Sequence, residues 1–384
     1  MTARTTRTGG LTVERVATRK AFAEFCDLPL RLHPRDRYIP PIRQVLADLW
    51  RGRGPHARYG PVEFHLVRDA QGRAVGRTCL HTNPKFDEKL GARHQLFGLT
   101  EFAEDPEVAA TLVHLAEERA QAEGHDALFG PVALLPNQTG GVITSGFEAR
   151  GFVDSAWNPA YYPKAYESLG FTRKFEAATW ICDDLGKRGV DVDEVFRFDD
   201  ARLRGEQLTI RHGSRRHLGD QLPMLREMLN ASFAQLGYYT PIDADELHAQ
   251  TDGLAYLLDE SLLMWLERAG MPVAFVLVVP DISGYLAKVG GDLGIVNQVR
   301  LLATRKRYRR EAVLIIKGTV PEAQGRGYLK LLARELYRNL RVGGYTALRS
   351  TWVEDDNAAS AAQYVRMGGR VLHGHTFYGR EVRA

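Results

Sequence analysis

The 384-residue sequence predicts an α/β protein of two tandem domains, each a mixed, mostly antiparallel sheet flanked by helices. Three observations carry that expectation. One order of elements (strand, two helices, hairpin, strand, helix, strand, helix, strand) is read twice along the chain. Landmarks keep a constant spacing: the hairpin turns DAQG at 69 and ERAG at 267 stand 198 residues apart, as do AYESLG at 165 and QYVRMG at 363. A glycine-bearing loop, VPEAQGRGYLKLL (320–332), joins a β-branched run to a helical pattern in the second half.

In the first half, LTVERV (11–16) reads as a strand, and helical stretches follow at 19–33 and 41–50. VEFHLVRD and RAVGRTCLH (62–81) alternate around a polar turn, as a hairpin does. QLFGLTEF (95–102) leads into DPEVAATLVHLAEERAQAEG (105–124). There Val108, Leu112, Leu115 and Ala116 recur at helical spacing, and Gly124 ends the helix. DALFGPVAL (126–134) is a strand, YPKAYESLG (162–170) a helix and FTRKFEAATWIC (171–182) a strand. The second half repeats the plan with a strand at 208–213, helices at 218–236 and 244–258, and a hairpin at 262–279. A strand at 311–320, a helix at 327–344, a strand at 345–353, a helix at 357–369 and a strand at 370–379 complete it. GHDAL and GYTAL, at 124 and 344, stand 220 apart, so extra residues fall near 280–310 and near 135–157. The division expected is a disordered tail at 1–10, a first domain at 11–182, a charged linker at 183–207 and a second domain at 208–384.

Hydrophobic residues at 44% and charged residues at 26% suit a soluble globular chain with an ample core. No apolar run reaches about 18 residues, and MTARTTRTGG has no apolar segment of a signal peptide. No membrane partner and a cytoplasmic location are therefore expected. Cys26, Cys79 and Cys182 are scattered, without metal spacing, as suits a reducing compartment. The net charge of +4 is mild, but ATRKRYRR (303–310) and RHGSRRH (211–217) concentrate basic residues. Each run reads as a solvated face or as an attractor of an anionic ligand.

The loop at 320–332 sits where ligands of open α/β sheets bind, at the carboxyl ends of strands. A helix start leaves several N–H groups unpaired and carries partial positive charge, so glycines there let a diphosphate approach. The order of elements, with V-P-E-x-Q-G-R-G after the fourth strand and N-x6-Y after the fifth, resembles the GNAT acyltransferase superfamily. The resemblance holds at motif level over 208–379, and by element order over 11–182.

It implies acetyl-CoA or another acyl-CoA as donor, with the diphosphate on Gln324, Gly325, Arg326, Gly327 and Tyr328. Leu329 departs from the pattern, which has Gly or Ala there. Thr319 and Val320 would pair with the pantetheine arm, with Gly318 at a strand bulge, and Asn357 would reach the same arm. Tyr364 would act as general acid on the departing thiolate and Glu354 as general base. Asp355 and Asp356 read as helix caps, Glu311 as a surface residue, and His373 and His375 as satisfied structural histidines. Tyr238 and Tyr239, in the loop 234–246, are the candidate acceptor contacts.

In the first domain Glu104, Asp105 and Glu107 stand at the corresponding helix start and would repel a diphosphate, so no coenzyme A is expected there. Tyr166 corresponds to Tyr364, and Tyr161 and Tyr162 are expected to face the other domain. The implied activity is N-acyl transfer, acetyl in the first instance, to an amine of a small molecule or peptide, without a metal and without RNA. Two alternatives stay open: an aminoacyl-tRNA-dependent transferase of the Fem type, which the basic runs would suit, and a non-catalytic acyl-CoA-binding protein. The acceptor and the oligomeric state are not readable from the sequence.

Overall fold

The computed structural model describes residues 5–8, 10–133, 140–186, 191–251 and 258–382. Among them lie fifteen strands: β1 Thr5–Thr8, β2 Leu11–Arg15, β3 Glu63–Arg68, β4 Ala74–His81, β5 His94–Phe102, β6 Ala127–Gly130, β7 Val142–Ser145, β8 Thr172–Cys182, β9 Leu208–His212, β10 Leu263–Arg268, β11 Met271–Pro280, β12 Glu311–Thr319, β13 Ala347–Ser350, β14 Val353–Glu354 and β15 Arg370–Glu381. They form one sheet in the order β1-β2-β3-β4-β5-β6-β15-β8-β13-β12-β11-β10-β9, with β7 beside β15 and β14 beside β8. The pairs β5·β6 and β12·β13 are parallel, and the rest are antiparallel.

The two halves exchange their last strands. β15, from the end of the chain, pairs with β6 of the first half, Tyr378 opposite Gly130. β8, from the end of the first half, pairs with β13 of the second, Leu348 opposite Cys182. β8 and β15 then pair with each other from Thr172–Gly379 to Ile181–Arg370, which joins the halves into a single sheet.

One long helix covers each half. Pro106–Glu123 buries Val108, Leu112, Ala116 and Ala120, and Asp105 caps it by accepting from the Glu107 amide at 2.9 Å. Tyr328–Val342 buries Leu331, Leu332, Leu336, Tyr337 and Leu340. A buried ion cluster ties the insertion at 140–154 to the second half. Arg349 reaches Glu311 at 2.6 Å and Asp281 at 3.3 Å, while Arg150 reaches Asp281 at 3.0 Å and Glu311 at 2.9 Å. The two guanidiniums outweigh the burial of Asp281 and hold its carboxyl below the usual range.

Several expectations are corrected. Thr5–Thr8, expected to be disordered, is edge strand β1, because Gly10 turns the chain back onto β2. Within 183–207 the helices Val192–Val195 and Asp200–Gly205 form, and Phe196 and Phe198 enter the second core. The helices Pro84–Leu90, Ser283–Val289 and Ile295–Thr304 were not foreseen. Glu311 is half-buried in the ion cluster rather than at a free surface. Tyr161 and Tyr162 pack within the first half: Tyr161 donates to the Phe102 carbonyl at 2.6 Å and Tyr162 to Glu101 at 2.9 Å. The helix expected at 244–258 is Ala244–Thr251 in its described part; residues 252–257, like 134–139 of the first insertion, lie outside the described residues.

Strand exchange makes a fold-level prediction. Fragments 1–187 and 188–384, expressed separately, should each lack a cooperative thermal transition. Co-expressed, they should associate and melt together. A cooperative melt of fragment 1–187 alone, followed by circular dichroism, would show that β15 is dispensable to its half.

Candidate active site

β12 and β13 run together only from Glu311–Ala347 to Leu314–Ser350. Beyond that point they part, with Thr351 as the last link: its N–H donates to the Leu314 carbonyl at 3.0 Å and its hydroxyl to the Ile315 carbonyl at 2.7 Å. On its other side β12 stays paired to β11 through a bulge: Leu277 faces Ile316 and Val278 faces Leu314, which leaves Ile315 extra. The expected bulge at Gly318 is thus three residues too late. Gly318 is in register with Phe275 and is needed for packing, since a Cβ there would come within 2.8 Å of both Phe275 and Ser232.

Hydrogen-bond alternation decides which amides are free. Val320 N–H donates to the Val273 carbonyl at 3.0 Å, so it is spent within the sheet. Its neighbours alternate, and Thr319 and Lys317 turn their N–H groups to the open edge. Of the two residues expected to meet a pantetheine arm, Thr319 can do so through its backbone; the Val320 amide cannot.

The loop that follows ends the open edge on a helix start. Gly325 and Gly327 have φ of 73° and 77°, the left-handed region that favours glycine. Gly327 is the N-cap of Tyr328–Val342, and no side chain caps the helix. The first amides are left for a ligand, in contrast to the Asp105-capped helix of the first half. Gln324, Gly325 and Arg326 are exposed. Tyr328 offers only its backbone: the side chain is core, and its hydroxyl is bonded to Glu206. Leu329, the departure from the family pattern, packs partly against the same core, so its amide stays accessible at the helix start.

Across the opening stand the residues after β13. Asn357 caps the helix Ala358–Arg366 by accepting from the Ser360 amide at 3.0 Å, so the cap is neither Asp355 nor Asp356. Glu354 is half-buried, and burial, with Asp356 beside it, raises its carboxyl pKa. Tyr364 is 2% exposed and stacks on Trp180 at 5.9 Å. Burial lifts its phenol above the ordinary range. Tyr238 and Tyr239 are buried in the wall of the same cleft; Tyr239 donates to Asn230 at 2.6 Å, and Tyr238 packs against Phe175, Trp352 and Phe377.

Lys317 was not foreseen. In sequence it is one polar residue of a strand, with nothing to set it apart. In the structure it lines the cleft, with Nζ 4.4 Å from the centre of the Tyr364 ring and donating to Gln363 Oε1 at 2.8 Å. Among the described residues no carboxylate pairs with it. Burial brings its ammonium pKa down to about 7.

The two histidines of β15 differ from expectation. His373 has weak partners, Thr179 Oγ1 at 3.3 Å and the Ala149 carbonyl at 3.4 Å. His375 is buried with neither ring nitrogen bonded among the described residues, and burial holds it well below the ordinary histidine range. The splay between β5 and β6 in the first half is filled by protein: Val132 N–H donates to the Phe97 carbonyl at 2.8 Å. A Cβ on Gly98 would come within 1.7 Å of the Val132 carbonyl oxygen.

Lys317, Thr319, Gly325, Gly327, Glu354 and Tyr364 line one cleft of about 1990 Å³. It runs from Gly325 and Lys317, past Tyr238 and Trp352, to Leu46 on the helix Arg43–Trp50 and Leu301 on the helix Ile295–Thr304 of the second insertion. Sites for drug-sized ligands are about 300–1,000 Å³, so the cleft is large.

No protein-family model matches the chain. It is 24% identical over 371 residues to protein YghO of Escherichia coli, covering 94% of this chain and 93% of that one. It is 23% identical over 367 residues to a bacterial ceramide synthase of Caulobacter vibrioides, covering 94% of each. Among solved structures, a tandem GNAT protein of the clavulanic acid biosynthesis pathway superposes with a TM-score of 0.57 at 13% identity, over 97% of this chain and 99% of the other. The fold is that of the tandem GCN5-related N-acetyltransferases.

The environment of Lys317 is open to direct measurement. NMR titration of lysine side-chain carbons should show one lysine with a midpoint near pH 7, absent from Lys317→Met. If every lysine titrates near about 10.4, the cleft is wetter than its walls imply.

Proposed function

We infer that the protein transfers an acyl group from an acyl-CoA to the amine of a lipophilic acceptor. The observation that carries this reading is the cleft: an open strand edge and an uncapped helix start at one end, continuous with a long, mostly apolar passage between the helix Arg43–Trp50 and the two insertions. The cleft has to hold the donor arm and the acceptor together, and its size leaves room for an acyl chain longer than acetyl. The Caulobacter relative named as a ceramide synthase supports the same class, since a ceramide is an N-acylated long-chain amino alcohol.

The diphosphate would rest on the amides of Gly325 to Leu329, with Arg326 adding charge. The Thr319 and Lys317 amides would hold the pantetheine arm. Two protons have to move. The acceptor arrives as an ammonium, and Glu354, whose pKa is raised, takes the first proton and releases it to water. On attack the amine nitrogen gives up a second proton. Lys317 Nζ accepts it and passes it to the departing sulfur.

Energetics favour Lys317 over Tyr364 as the proton source. Thiols titrate near about 8.5. A phenol raised above its ordinary range is a weaker acid than the thiol, so transfer from Tyr364 would run uphill. An ammonium near 7 is a stronger acid than the thiol, so transfer from Lys317 runs downhill. Tyr364 then serves by placing its ring against Lys317.

The test is release of thiol from palmitoyl-CoA in the presence of a long-chain 2-amino-1,3-diol, with the amide product identified by mass spectrometry. The wild-type kcat/KM should rise with pH through about 7, as neutral Lys317 forms. Lys317→Met should lower kcat by about 10²-fold and abolish that rise. Gly325→Glu with Gly327→Glu should abolish coenzyme A binding in a folded protein. No thiol release from any acyl-CoA, with tight binding retained, would mark the protein as a binder and not an enzyme.

A further inference from the structure

The second insertion holds a surface that the chemistry above does not use. The helix Ile295–Thr304 packs inward through Leu301 and through Asn297, whose carbonyl accepts from the Tyr285 hydroxyl at 2.7 Å. Its other side is apolar and bare. Ile295 is 82% exposed, Val296 64%, Val299 60% and Leu302 38%. These positions are i, i+1, i+4 and i+7, a single stripe on one helix face. Val45, on the helix Arg43–Trp50, is 52% exposed. The segments meet: Gln44 bonds Asp292 at 2.7 Å, and Arg43 bonds the Gly290 carbonyl at 2.8 Å.

Charge surrounds the stripe. Arg300, Arg305, Lys306, Arg307 and Arg310 are exposed, and among the described residues none of them pairs with a carboxylate. A helix with a bare apolar stripe and basic flanks lies in the plane of a membrane surface, its apolar side below the headgroups and its cations among anionic phosphates. A nucleic acid would suit the cations but leave four aliphatic side chains without a partner.

Location gives the surface a purpose. Val45 and Leu302 belong both to the exposed patch and to the lining of the cleft, so the cleft opens where the patch lies. We propose that the helix Ile295–Thr304, with Val45 and the basic segment after it, docks on an anionic lipid bilayer and sets the mouth of the cleft against it. A lipophilic substrate then passes from bilayer to cleft without crossing water. No helix among the described residues is long and apolar enough to cross a membrane, so this is contact with one face. The proposal reverses the sequence-level expectation of no membrane partner. Its purpose rests on the lipophilic-acceptor reading, whereas the surface itself does not.

The experiment is flotation of the full-length protein with vesicles, without any substrate. Vesicles of phosphatidylglycerol and phosphatidylcholine should carry the protein upward; vesicles of phosphatidylcholine alone should carry little, and high salt should release it. Val296→Glu with Val299→Glu should abolish flotation at unchanged thermal stability. Arg305→Glu, Lys306→Glu and Arg307→Glu together should weaken partitioning by about a hundredfold. None of these residues lines the cleft, so coenzyme A binding should be unchanged in both variants. Absence of flotation at low salt, or flotation indifferent to both sets of changes, overturns the proposal. Binding of RNA lost with the basic residues, with no vesicle binding, overturns it in favour of a nucleic-acid surface. Flotation without acyl transfer would instead leave the docking intact and count against the catalytic reading.

Discussion

The parting of β12 from β13 after four paired residues is the constraint on which the site depends. A parallel pair that stayed together would satisfy every amide of β12 and leave nothing for a ligand. The pair separates because β13 ends at Ser350 and the chain turns to pair Val353 and Glu354 with β8. β12 holds its direction because β11 remains bonded along its whole length, with the irregularity absorbed at Ile315. The sheet therefore opens without losing its frame. The exchanged strand β8 holds both β13 and β14, so the exchange between halves is also what fixes the angle of the opening.

The first half shows what the same opening becomes when it is not used. β5 and β6 also part, but the chain after β6 folds back and Val132 N–H takes the Phe97 carbonyl. Gly98 has no side chain because the Val132 carbonyl oxygen occupies its place. Asp105 caps the adjacent helix, which spends an amide and places a carboxylate where a diphosphate would need positive potential. The backbone and the cap together leave this half neither an open strand edge nor an uncapped helix start.

Much of this was legible in the sequence, for identifiable reasons. Glycines at positive φ mark themselves, so Gly325 and Gly327 stood out. Helical and strand periods are local, so the repeated order could be read. What was not legible depends on distance along the chain. Whether FTRKFEAATWIC pairs with its own half or the other is decided by partners about two hundred residues away, and either pairing buries the same pattern. The Gly318 bulge was misplaced because a glycine in a strand signals either a bulge or a close approach, and here Phe275 and Ser232 make it the second. Lys317 carried no signal, because its character comes from burial beside Tyr364 and not from its neighbours in sequence.

The insertion near 280–310 was legible only as extra length, and its physics explains why. Periodicity reports that one side of a helix is apolar; it does not report whether that side is covered. In Ile295–Thr304 the pattern could equally describe a core helix. The structure buries Leu301 and leaves Ile295, Val296, Val299 and Leu302 outside. Exposing aliphatic side chains costs about 25 cal/mol per Å² of area left in water, and a stripe of four beside a mouth lined by the same helix is not scattered surface apolarity. The basic run ATRKRYRR gains its meaning from the same placement. Read alone it is a solvated run; beside the stripe it supplies the charge that a lipid surface requires. The cleft, the stripe and the cations are thus one arrangement in which the route to Lys317 begins at the bilayer face.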